Sequence, residues 1–406
     1  MNQVKIEKLV FGGRGLGYID NKPIFLLNSL PNEEVVFKYT KNNKYFSEGF
    51  ATDILCPSPY RIAPKEHHYL SCSPWQIINW GKEQELKKET ASETYKKIGK
   101  FDFPSLEIIS DDHDFNYRNK IEYNFIINNG SISFAIFLPK SNIKEPIDIC
   151  ELAKPEINYA ANNILAWINK NNIPEKDLNK IILRCSQKGE VIAGLFLNSK
   201  LQFDFYPDLN DRLAGFDIYY IDLNNNISIY KSGKDYLEEE FFGIKITYGL
   251  FSFFQINTNI FKKALEDISG FIDGEDIIDF YSGVGAIGLG LRKYCKKLFL
   301  VESNLEASVY AKANVNLNNF TNIKIFPLPS EKAIHLISQD KTIIFDPPRA
   351  GLNSKIIEKI MLEKPKRIIY LSCNLSTHAR DVKLLSEAYE IKLLKLYNFF
   401  PHTPHI

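Results

Sequence analysis

The sequence lacks the features that mark membrane and secreted proteins. None of its apolar runs approaches the ~18 residues that a membrane-spanning helix needs. Its first residues, MNQVKIEKLVFGG, contain neither the uninterrupted hydrophobic segment nor the small-residue cleavage site of a signal peptide. We therefore expect a cytoplasmic protein.

Cysteine is scarce, and neither sign of charge dominates. Six cysteines in 406 residues are too few for a disulfide framework, so each thiol must be considered separately as structural, metal-binding or nucleophilic. The formal net charge of +1 gives no general signature of polyanion binding. A nucleic-acid partner would therefore have to bind a local basic surface, and composition neither favours nor excludes one.

The hydrophobic pattern changes twice along the chain and predicts three domains. Residues 1–58 contain short strand-like segments between glycine, asparagine and proline turns, which predicts a small β-barrel or sandwich. Residues 59–250 mix strands and helices after a cysteine-containing loop, which predicts an α+β domain. Residues 251–406 alternate apolar strands with helices, which predicts a doubly wound parallel sheet of the α/β Rossmann-like type.

Ligands of such a sheet bind outside the carboxyl ends of its strands, so the residues after each apolar run are candidate site residues. A glycine turn, DFYSGVG, follows one strand and would let the backbone approach a ligand at Gly283 and Gly285. Glu302 follows the next strand, about 20 positions later, where an acidic residue can accept both hydroxyls of a ribose. The pattern indicates a nucleoside cofactor, although tight packing of strand on helix also selects glycines.

The segment Asp346-Pro347-Pro348-Arg349 distinguishes between two nucleoside cofactors. Two prolines after an acidic residue make a stiff, extended loop that can hold the carboxylate against a planar base. The segment is similar to the polar-Pro-Pro loop of nucleobase methyltransferases, and this resemblance favours S-adenosylmethionine over NAD. The alternative is a plain turn after a buried strand.

Cys373 differs from the other cysteines in its position. It follows the strand-like IIYL and precedes Asn374 and Ser376, which open a predicted helix. A thiolate is favoured near a helix N-terminus. Cys373 is therefore a candidate nucleophile, whereas a buried cysteine is usually only a small apolar residue.

These motifs, in this order and spacing, resemble those of the RNA uracil-5-methyltransferases. In the C-terminal half the resemblance is carried by FFQIN, DFYSGVGAIGL, FLVESN, FDPPRAGL, YLSCNLSTHARD and FPHTPH, and in the middle region by YRNKIEYNF. The predicted N-terminal barrel resembles the OB-like TRAM domain that many rRNA-modifying members carry. The resemblance is closest to the TRAM-containing 23S rRNA (uracil-5-)-methyltransferases.

The resemblance implies a chemistry and a set of site residues. Cys373 would add to C6 of uracil, so that C5 becomes nucleophilic enough to accept the methyl group of S-adenosylmethionine. Asp346 would orient the uracil or the reacting end of the cofactor. Phe253 would stack on a base rotated out of the RNA, and Arg118 would contact the extruded nucleotide or its phosphate. The residues that would hold the cofactor are Gln255, Tyr281, Gly283, Gly285, Glu302 and Asp346.

The cysteine loop departs from the family pattern. Many members bind a 4Fe-4S cluster through three loop cysteines and one distant cysteine, and such a cluster needs four thiolates. This chain offers only Cys56 and Cys72 in the loop, with Cys150 as a distant partner, and Trp75 stands where the last loop cysteine is expected. We therefore expect a loop without a cluster, packed by Trp75 and Trp80, with these three cysteines as the remnant of an iron–sulfur site. The alternative is a bound 4Fe-4S cluster whose ligand set His67 or His68 completes.

The end of the chain departs further. In the family, FPHTPH and one hydrophobic residue lead into a glutamate that would remove the C5 proton, but this sequence ends at Ile406. We therefore expect a methyltransferase domain that is truncated at its C-terminus and lacks the family's general base.

Several functions stay open at this point. The first is methylation of C5 of a uridine in RNA, with 23S rRNA favoured over tRNA by the TRAM-like barrel. The second is a truncated or degenerate member that binds RNA without turnover. The third is methylation of a cytosine or an exocyclic amine, and Cys373 argues against amine transfer because that reaction needs no thiol. In each case we expect a monomer that binds RNA.

Overall fold

The computed structural model describes residues 2–10, 12–103, 106–111, 113–139, 141–222 and 225–406. The chain forms two compact units. The first contains residues 1–114, 138–141 and 373–406, and the second contains residues 115–137 and 142–372. No helix in the described ranges is both long enough and apolar enough to cross a membrane.

The first unit begins with a closed five-stranded barrel in the strand order β1-β2-β3-β5-β4. Its strands are β1 (Gln3–Val10), β2 (Arg14–Ile19), β3 (Lys22–Leu27), β4 (Glu34–Asn42) and β5 (Ser47–Cys56). Alternate residues of β1 point inward because side chains in a strand alternate between its two faces. The predicted N-terminal barrel is thus confirmed. The barrel core consists of Val4, Ile6, Ile24, Leu26, Val35, Phe37 and Ala51.

A loop and a helix follow the barrel in the same unit. The elements are α1 (Tyr69–Cys72), α2 (Trp80–Thr94) and β6 (Glu107–Ile109). The side chain of Asn79 caps α2 by accepting a hydrogen bond from the backbone N–H of Lys82 at 2.9 Å. The helix continues into one π-helical turn at Tyr95–Gly99.

The second unit contains an α+β region built on a seven-stranded sheet in the order β13-β12-β11-β10-β7-β8-β9. Its elements are β7 (Lys120–Asn128), β8 (Ser131–Phe137), β9 (Lys144–Ile147), α3 (Pro155–Lys170), β10 (Leu178–Cys185), β11 (Val191–Leu197), β12 (Leu213–Asp222) and β13 (Asn225–Gly233). A hairpin of β14 (Tyr236–Phe241) and β15 (Ile244–Gly249) follows. Neighbouring strands of the sheet are antiparallel except for β11 and β12.

The same unit contains a five-stranded parallel sheet in the order β18-β17-β16-β19-β20. Its elements are α4 (Thr258–Ser269), β16 (Asp276–Phe280), α5 (Ala286–Gly290), β17 (Leu298–Val301), α6 (Leu305–Leu317), β18 (Ile323–Phe326), β19 (Lys341–Phe345), α7 (Ser354–Glu363) and β20 (Arg367–Tyr370). The strand order reverses between β16 and β19, where ligands of a doubly wound sheet bind. The predicted Rossmann-like sheet is confirmed.

The chain then returns to the first unit with α8 (Leu375–Leu385) and β21 (Lys395–Tyr397). β21 pairs in parallel with β6. Ala379 of α8 is fully buried and belongs to an apolar cluster with Ala91 of α2, Tyr95 and Leu396. Packing on α2 therefore fixes the position of the returning segment within this unit.

Candidate active site

The turn after β16 adopts a backbone conformation that only a few residue types favour. Gly283 has a φ of 56° and Gly285 a φ of 86°, both in the left-handed region. Tyr281 also has a positive φ, of 61°, which costs a bulky residue roughly 1–3 kcal/mol. A side chain at Gly285 would meet Leu289 at 2.9 Å. The turn therefore requires glycine there and stores strain at Tyr281.

Glu302 links this turn to the next strand. It lies directly after β17, and its Oε2 accepts a hydrogen bond from the backbone N–H of Gly283 at 2.8 Å. Its Oε1 accepts from the N–H of Asn304 at 2.6 Å, at the start of α6. A carboxylate has about four acceptor positions, so Glu302 keeps capacity for further donors.

Asp279 is a buried acid inside the apolar β16. Its side chain has no exposed surface, and its Oδ2 accepts from the N–H of Gly288 at 2.9 Å. Burial raises the pKa of Asp279 to about 8, against this hydrogen bond, and the charges of Asp346 and Glu302 add to the rise. Sequence reasoning assigned no role to Asp279, although an acid within an otherwise apolar strand is a signal of such a site.

Asp346 and Gln255, both predicted site residues, are in contact. Asp346 follows β19 directly, and its Oδ2 accepts a hydrogen bond from Nε2 of Gln255 at 2.9 Å. Burial raises the pKa of Asp346 to about 6, while the hydrogen bond from Gln255 acts in the opposite direction. The FFQIN segment and the DPP loop thus meet through these two side chains.

A buried arginine positions the FFQIN segment. Arg184 on β10 has no exposed surface, and its Nη1 donates to the backbone carbonyls of Gly249, at 3.0 Å, and of Ser252. Its guanidinium lies 4.6 Å from the ring centre of Tyr248. Burial lowers the pKa of Arg184 to about 10, which leaves it charged at neutral pH. Sequence reasoning missed Arg184, because one cation in the strand KIILRC also fits an exposed position.

The two predicted RNA contacts lie at partly or fully accessible positions of the second unit. Phe253 is 63% exposed, although most large apolar side chains of the unit are buried. Arg118 is partly exposed, and its backbone N–H donates to the carbonyl of Leu152 at 2.8 Å. The neighbouring Asn119 donates from Nδ2 to the carbonyl of Gln255 at 2.9 Å. The YRNK and FFQIN motifs are therefore joined.

Cys373 lies between β20 and α8. It is partly exposed and comes two residues before the first residue of the helix. Asn374 caps the helix, with its Oδ1 accepting from the N–H of Ser376 at 3.0 Å. The predicted helix after Cys373 is thus present, and the positive end of its dipole lies near the thiol.

The cysteines of the predicted metal remnant differ in environment. Cys56 is exposed at the end of β5, and Cys72 is partly exposed at the end of α1. Cys150 is 3% exposed and belongs to the apolar core of the second unit. A metal site made by these three residues stays a prediction.

The fold and these strand ends define the class: the chain is an S-adenosylmethionine-dependent methyltransferase with a Rossmann-like sheet. Residues 82–406 match the model of the tRNA (Uracil-5-)-methyltransferase family. The chain therefore belongs to the tRNA (uracil-5-)-methyltransferase family and is an S-adenosylmethionine-dependent RNA (uracil-5-)-methyltransferase. The family resemblance seen in the sequence is confirmed.

Individual proteins support this assignment over the whole chain. An RNA methyltransferase of Fusobacterium nucleatum is 31% identical and aligns with 100% of this chain and 94% of its own length. An RNA methyltransferase of Caldanaerobacter subterraneus is 28% identical, over 99% of this chain and 96% of its own. The crystal structure of Pyrococcus abyssi tRNA (uracil-54, C5)-methyltransferase with S-adenosyl-L-homocysteine matches with a TM-score of 0.79 and 25% identity, over 100% of this chain and 98% of that chain.

Proposed function

We propose that this protein methylates C5 of a uridine in 23S rRNA through a covalent bond between Cys373 and C6 of the uracil. The observation that carries the proposal is the position of Cys373, a partly exposed cysteine two residues before the first residue of α8 and three residues after the last residue of β20. Neither amine methylation nor simple RNA binding needs a thiol there.

The carboxyl edge of the parallel sheet suits S-adenosylmethionine. The space beside Gly283 is open, because a Cβ atom added there would have the Phe253 carbonyl oxygen as its nearest neighbour, at 3.6 Å. Asp279, Glu302 and Asp346 add three carboxyl groups around the strand ends. We assign Gln255, Tyr281, Gly283, Gly285, Glu302 and Asp346 to cofactor binding.

The reaction assigned to these residues begins with the thiolate of Cys373 adding to C6, which places negative charge on the C5–C4–O4 system. S-adenosylmethionine supplies an electrophilic methyl group to C5. Gln255 holds the Asp346 carboxylate in one orientation, so that it can accept a hydrogen bond from the uracil or attract the cationic cofactor. Transfer of the C5 proton to water then lets the C6–S bond break and releases the thiolate of Cys373.

Phe253 and Arg118 would bind the RNA around the reacting base. The exposed ring of Phe253 provides a stacking surface for a base that has left its helix. The backbone of Arg118 is tied to Leu152, while its guanidinium is suited to a phosphate. Asn119 joins the two motifs, so that substrate and cofactor contacts share one scaffold.

The choice of RNA has two candidates. The barrel, which resembles a TRAM domain, supports 23S rRNA. The alternative is tRNA, because the P. abyssi enzyme that matches over the whole chain is named for tRNA uracil-54.

The test is to incubate the full chain with S-adenosylmethionine and unmodified transcripts of 23S rRNA or tRNA, and then to measure methylated nucleosides by mass spectrometry. We expect 5-methyluridine in the 23S transcript, none with Cys373→Ala, and normal amounts with Cys295→Ala, a buried cysteine that belongs to none of the motifs. Methylation of tRNA alone would contradict the rRNA assignment. A product methylated at another atom would contradict the chemistry.

A further inference from the structure

Three side chains that commonly bind metals lie together in the loop between the barrel and α2. The ligand atoms of Glu66, His68 and Cys72 all lie within 4.8 Å of one another. Nε2 of His68 is 3.1 Å from Oε1 of Glu66, and Sγ of Cys72 is 3.8 Å from Oε2 of Glu66. Zinc bonds of about 2.0 Å to nitrogen and oxygen and about 2.3 Å to sulfur place tetrahedral ligands roughly 3.3–3.6 Å apart. The His68–Glu66 distance of 3.1 Å lies just below this range, and the Cys72–Glu66 distance of 3.8 Å lies just above it.

The local structure brings the three groups together. His68 directly precedes α1 and Cys72 ends it, and residues four apart share one face of a helical turn. Glu66 reaches the same point from the preceding loop. Glu66 is 6% exposed and His68 is 2% exposed. A carboxylate removed from water in this way is strongly stabilised by a bound cation.

A second layer of polar side chains orients two of the ligands. Nε2 of Gln76 donates to Oε2 of Glu66 at 2.5 Å and to Oγ of Ser73 at 2.7 Å. Oγ of Ser73 lies 2.9 Å from Sγ of Cys72. Gln76 and Ser73 are themselves buried. Hydrogen bonds of this kind hold the ligands of metal sites in fixed orientations.

We propose that Glu66, His68 and Cys72 bind one divalent metal ion of the zinc type, which fixes the loop in place. One oxygen, one nitrogen and one sulfur ligand suit a mononuclear zinc or cobalt site. They do not suit an iron–sulfur cluster, which takes four thiolates, because Cys72 is the one thiol in this group. The loop already contacts the barrel through Arg61 with Glu33 and through Tyr69 with Asn28, so a metal ion would stabilise the same part of the first unit.

Cobalt substitution of the full chain tests the proposal. After treatment with a chelator, the chain is titrated with Co²⁺. We expect one Co²⁺ per chain, with a thiolate-to-cobalt charge-transfer band and the visible absorption of a four-coordinate ion. Cys72→Ser should lose the charge-transfer band and His68→Gln should weaken binding, whereas His67→Gln, a change at the exposed neighbouring histidine, should not. Gln76→Leu should reduce Co²⁺ affinity by about tenfold.

Three results would overturn the proposal. They are the absence of a cobalt band in the wild-type chain, an undiminished band in Cys72→Ser, and four irons with acid-labile sulfide in the protein as purified. Folding of each variant is checked by circular dichroism. A measurement that needs no variant is the melting temperature of the chelator-treated wild-type chain, which should rise when Zn²⁺ is added. An unchanged melting temperature would contradict the stabilising role.

Discussion

Burial raises the pKa of both Asp279 and Asp346, but the charges of Asp346 and Glu302 raise the pKa of Asp279 further. With a pKa of about 6, Asp346 is mostly ionised at pH 7, whereas Asp279, with a pKa of about 8, is mostly protonated. Folding raises the pKa of both carboxyl groups. Their contribution to stability is therefore fully present below the pKa of the unfolded chain and is lost as the pH rises through the pKa of the folded chain. A bound cationic ligand offsets this loss of stability, because it stabilises the ionised carboxylates.

The raised pKa of Asp346 predicts that cofactor binding depends on pH. From pH 5 to pH 7.5, ionisation of Asp346 should increase the affinity for S-adenosylmethionine by about tenfold. Isothermal titration at several pH values measures the effect. Asp346→Asn should remove most of this dependence. The affinity for S-adenosylhomocysteine, which has no sulfonium charge, should depend less on pH. An unchanged pH dependence in Asp346→Asn would contradict the role of this carboxylate.

At the scale of single residues, the sequence indicates which residues lie at the strand ends but not which of them are in contact. Asp346 could be selected because it follows an apolar strand in a doubly wound pattern. Its hydrogen bond with Gln255 spans 91 positions of sequence, and no local pattern encodes such a pair. Arg184 was missed for the same reason, since the carbonyls that it binds lie 65 and 68 positions further along the chain.

At the scale of elements, α2 shows how a charged helix can be part of a core. Its glutamates and lysines at i,i+4 spacing predict a helix, and the helix is present. The structure nevertheless buries Glu83 and Lys87 completely or nearly so. Lys87 Nζ donates to Oδ1 of Asn398 at 2.6 Å and to the carbonyl of Phe400 at 3.0 Å, and Glu83 accepts from the N–H of His402 at 3.0 Å. The partners are more than 300 positions away, so the sequence pattern could not indicate this burial.

The buried pair predicts that Glu83→Gln destabilises the end of the chain. Burial opposes ionisation of Glu83, but Lys87 and His402 together hold its pKa below the usual value. Its stabilisation is therefore present above about pH 4.5 and is lost as pH falls through the folded pKa. Glu83→Gln leaves Lys87 buried without its counter-charge and should lower the free energy of unfolding by about 3–5 kcal/mol at pH 7.

Denaturant unfolding measures this loss, and hydrogen exchange of residues 398–406 should accelerate in parallel. The matched control is Glu85→Gln, two residues further along on the exposed side of α2, where Glu85 pairs with Lys82 at the surface. The double variant Glu83→Gln/Lys87→Met should recover much of the lost stability. Equal effects of Glu83→Gln and Glu85→Gln would contradict a role of the buried pair.

At the scale of the whole molecule, RNA binding has to come from local surfaces because the net charge is only +1. One such surface lies on the barrel, along β4 and the turn that follows it. Lys38, Lys41 and Lys44 are exposed there, and so are Tyr39 and Tyr45, the latter at 77%. Lysines can neutralise phosphates while tyrosines stack on unpaired bases. RNA binding by this face of the barrel is therefore a prediction.

The assignment predicts that Lys41→Gln/Lys44→Gln weakens RNA binding without changing cofactor affinity. Each lost phosphate contact reduces the slope of log K against log salt by about 0.7–0.9, so the double change should reduce it by about 1–2. Fluorescence anisotropy with a labelled rRNA fragment at several salt concentrations measures the slope. Lys355→Gln, at an exposed lysine of α7, serves as the control. An unchanged slope in the double variant would contradict RNA binding by this face.

The class of fold was predictable from periodicity, whereas the grouping of segments in space was not. Alternating apolar strands and helices are enough to predict a parallel sheet, and short strands between turns are enough to predict a barrel. The first unit, however, joins residues 1–114 with residues 373–406, and this union depends on contacts such as those of Lys87 with the returning segment. The domain boundaries at 58 and 250 stay predictions.

The central claim is the covalent bond from Cys373, and a fluorinated substrate tests it most directly. An rRNA fragment that contains 5-fluorouridine is incubated with the full chain and S-adenosylmethionine, and the mixture is separated on a denaturing gel. Fluorine at C5 cannot leave as a proton, so the methylated adduct should accumulate, and mass spectrometry should locate it at Cys373. Cys295→Ala should form the same adduct. No adduct with the wild-type chain, or an undiminished adduct with Cys373→Ala, would contradict the claim.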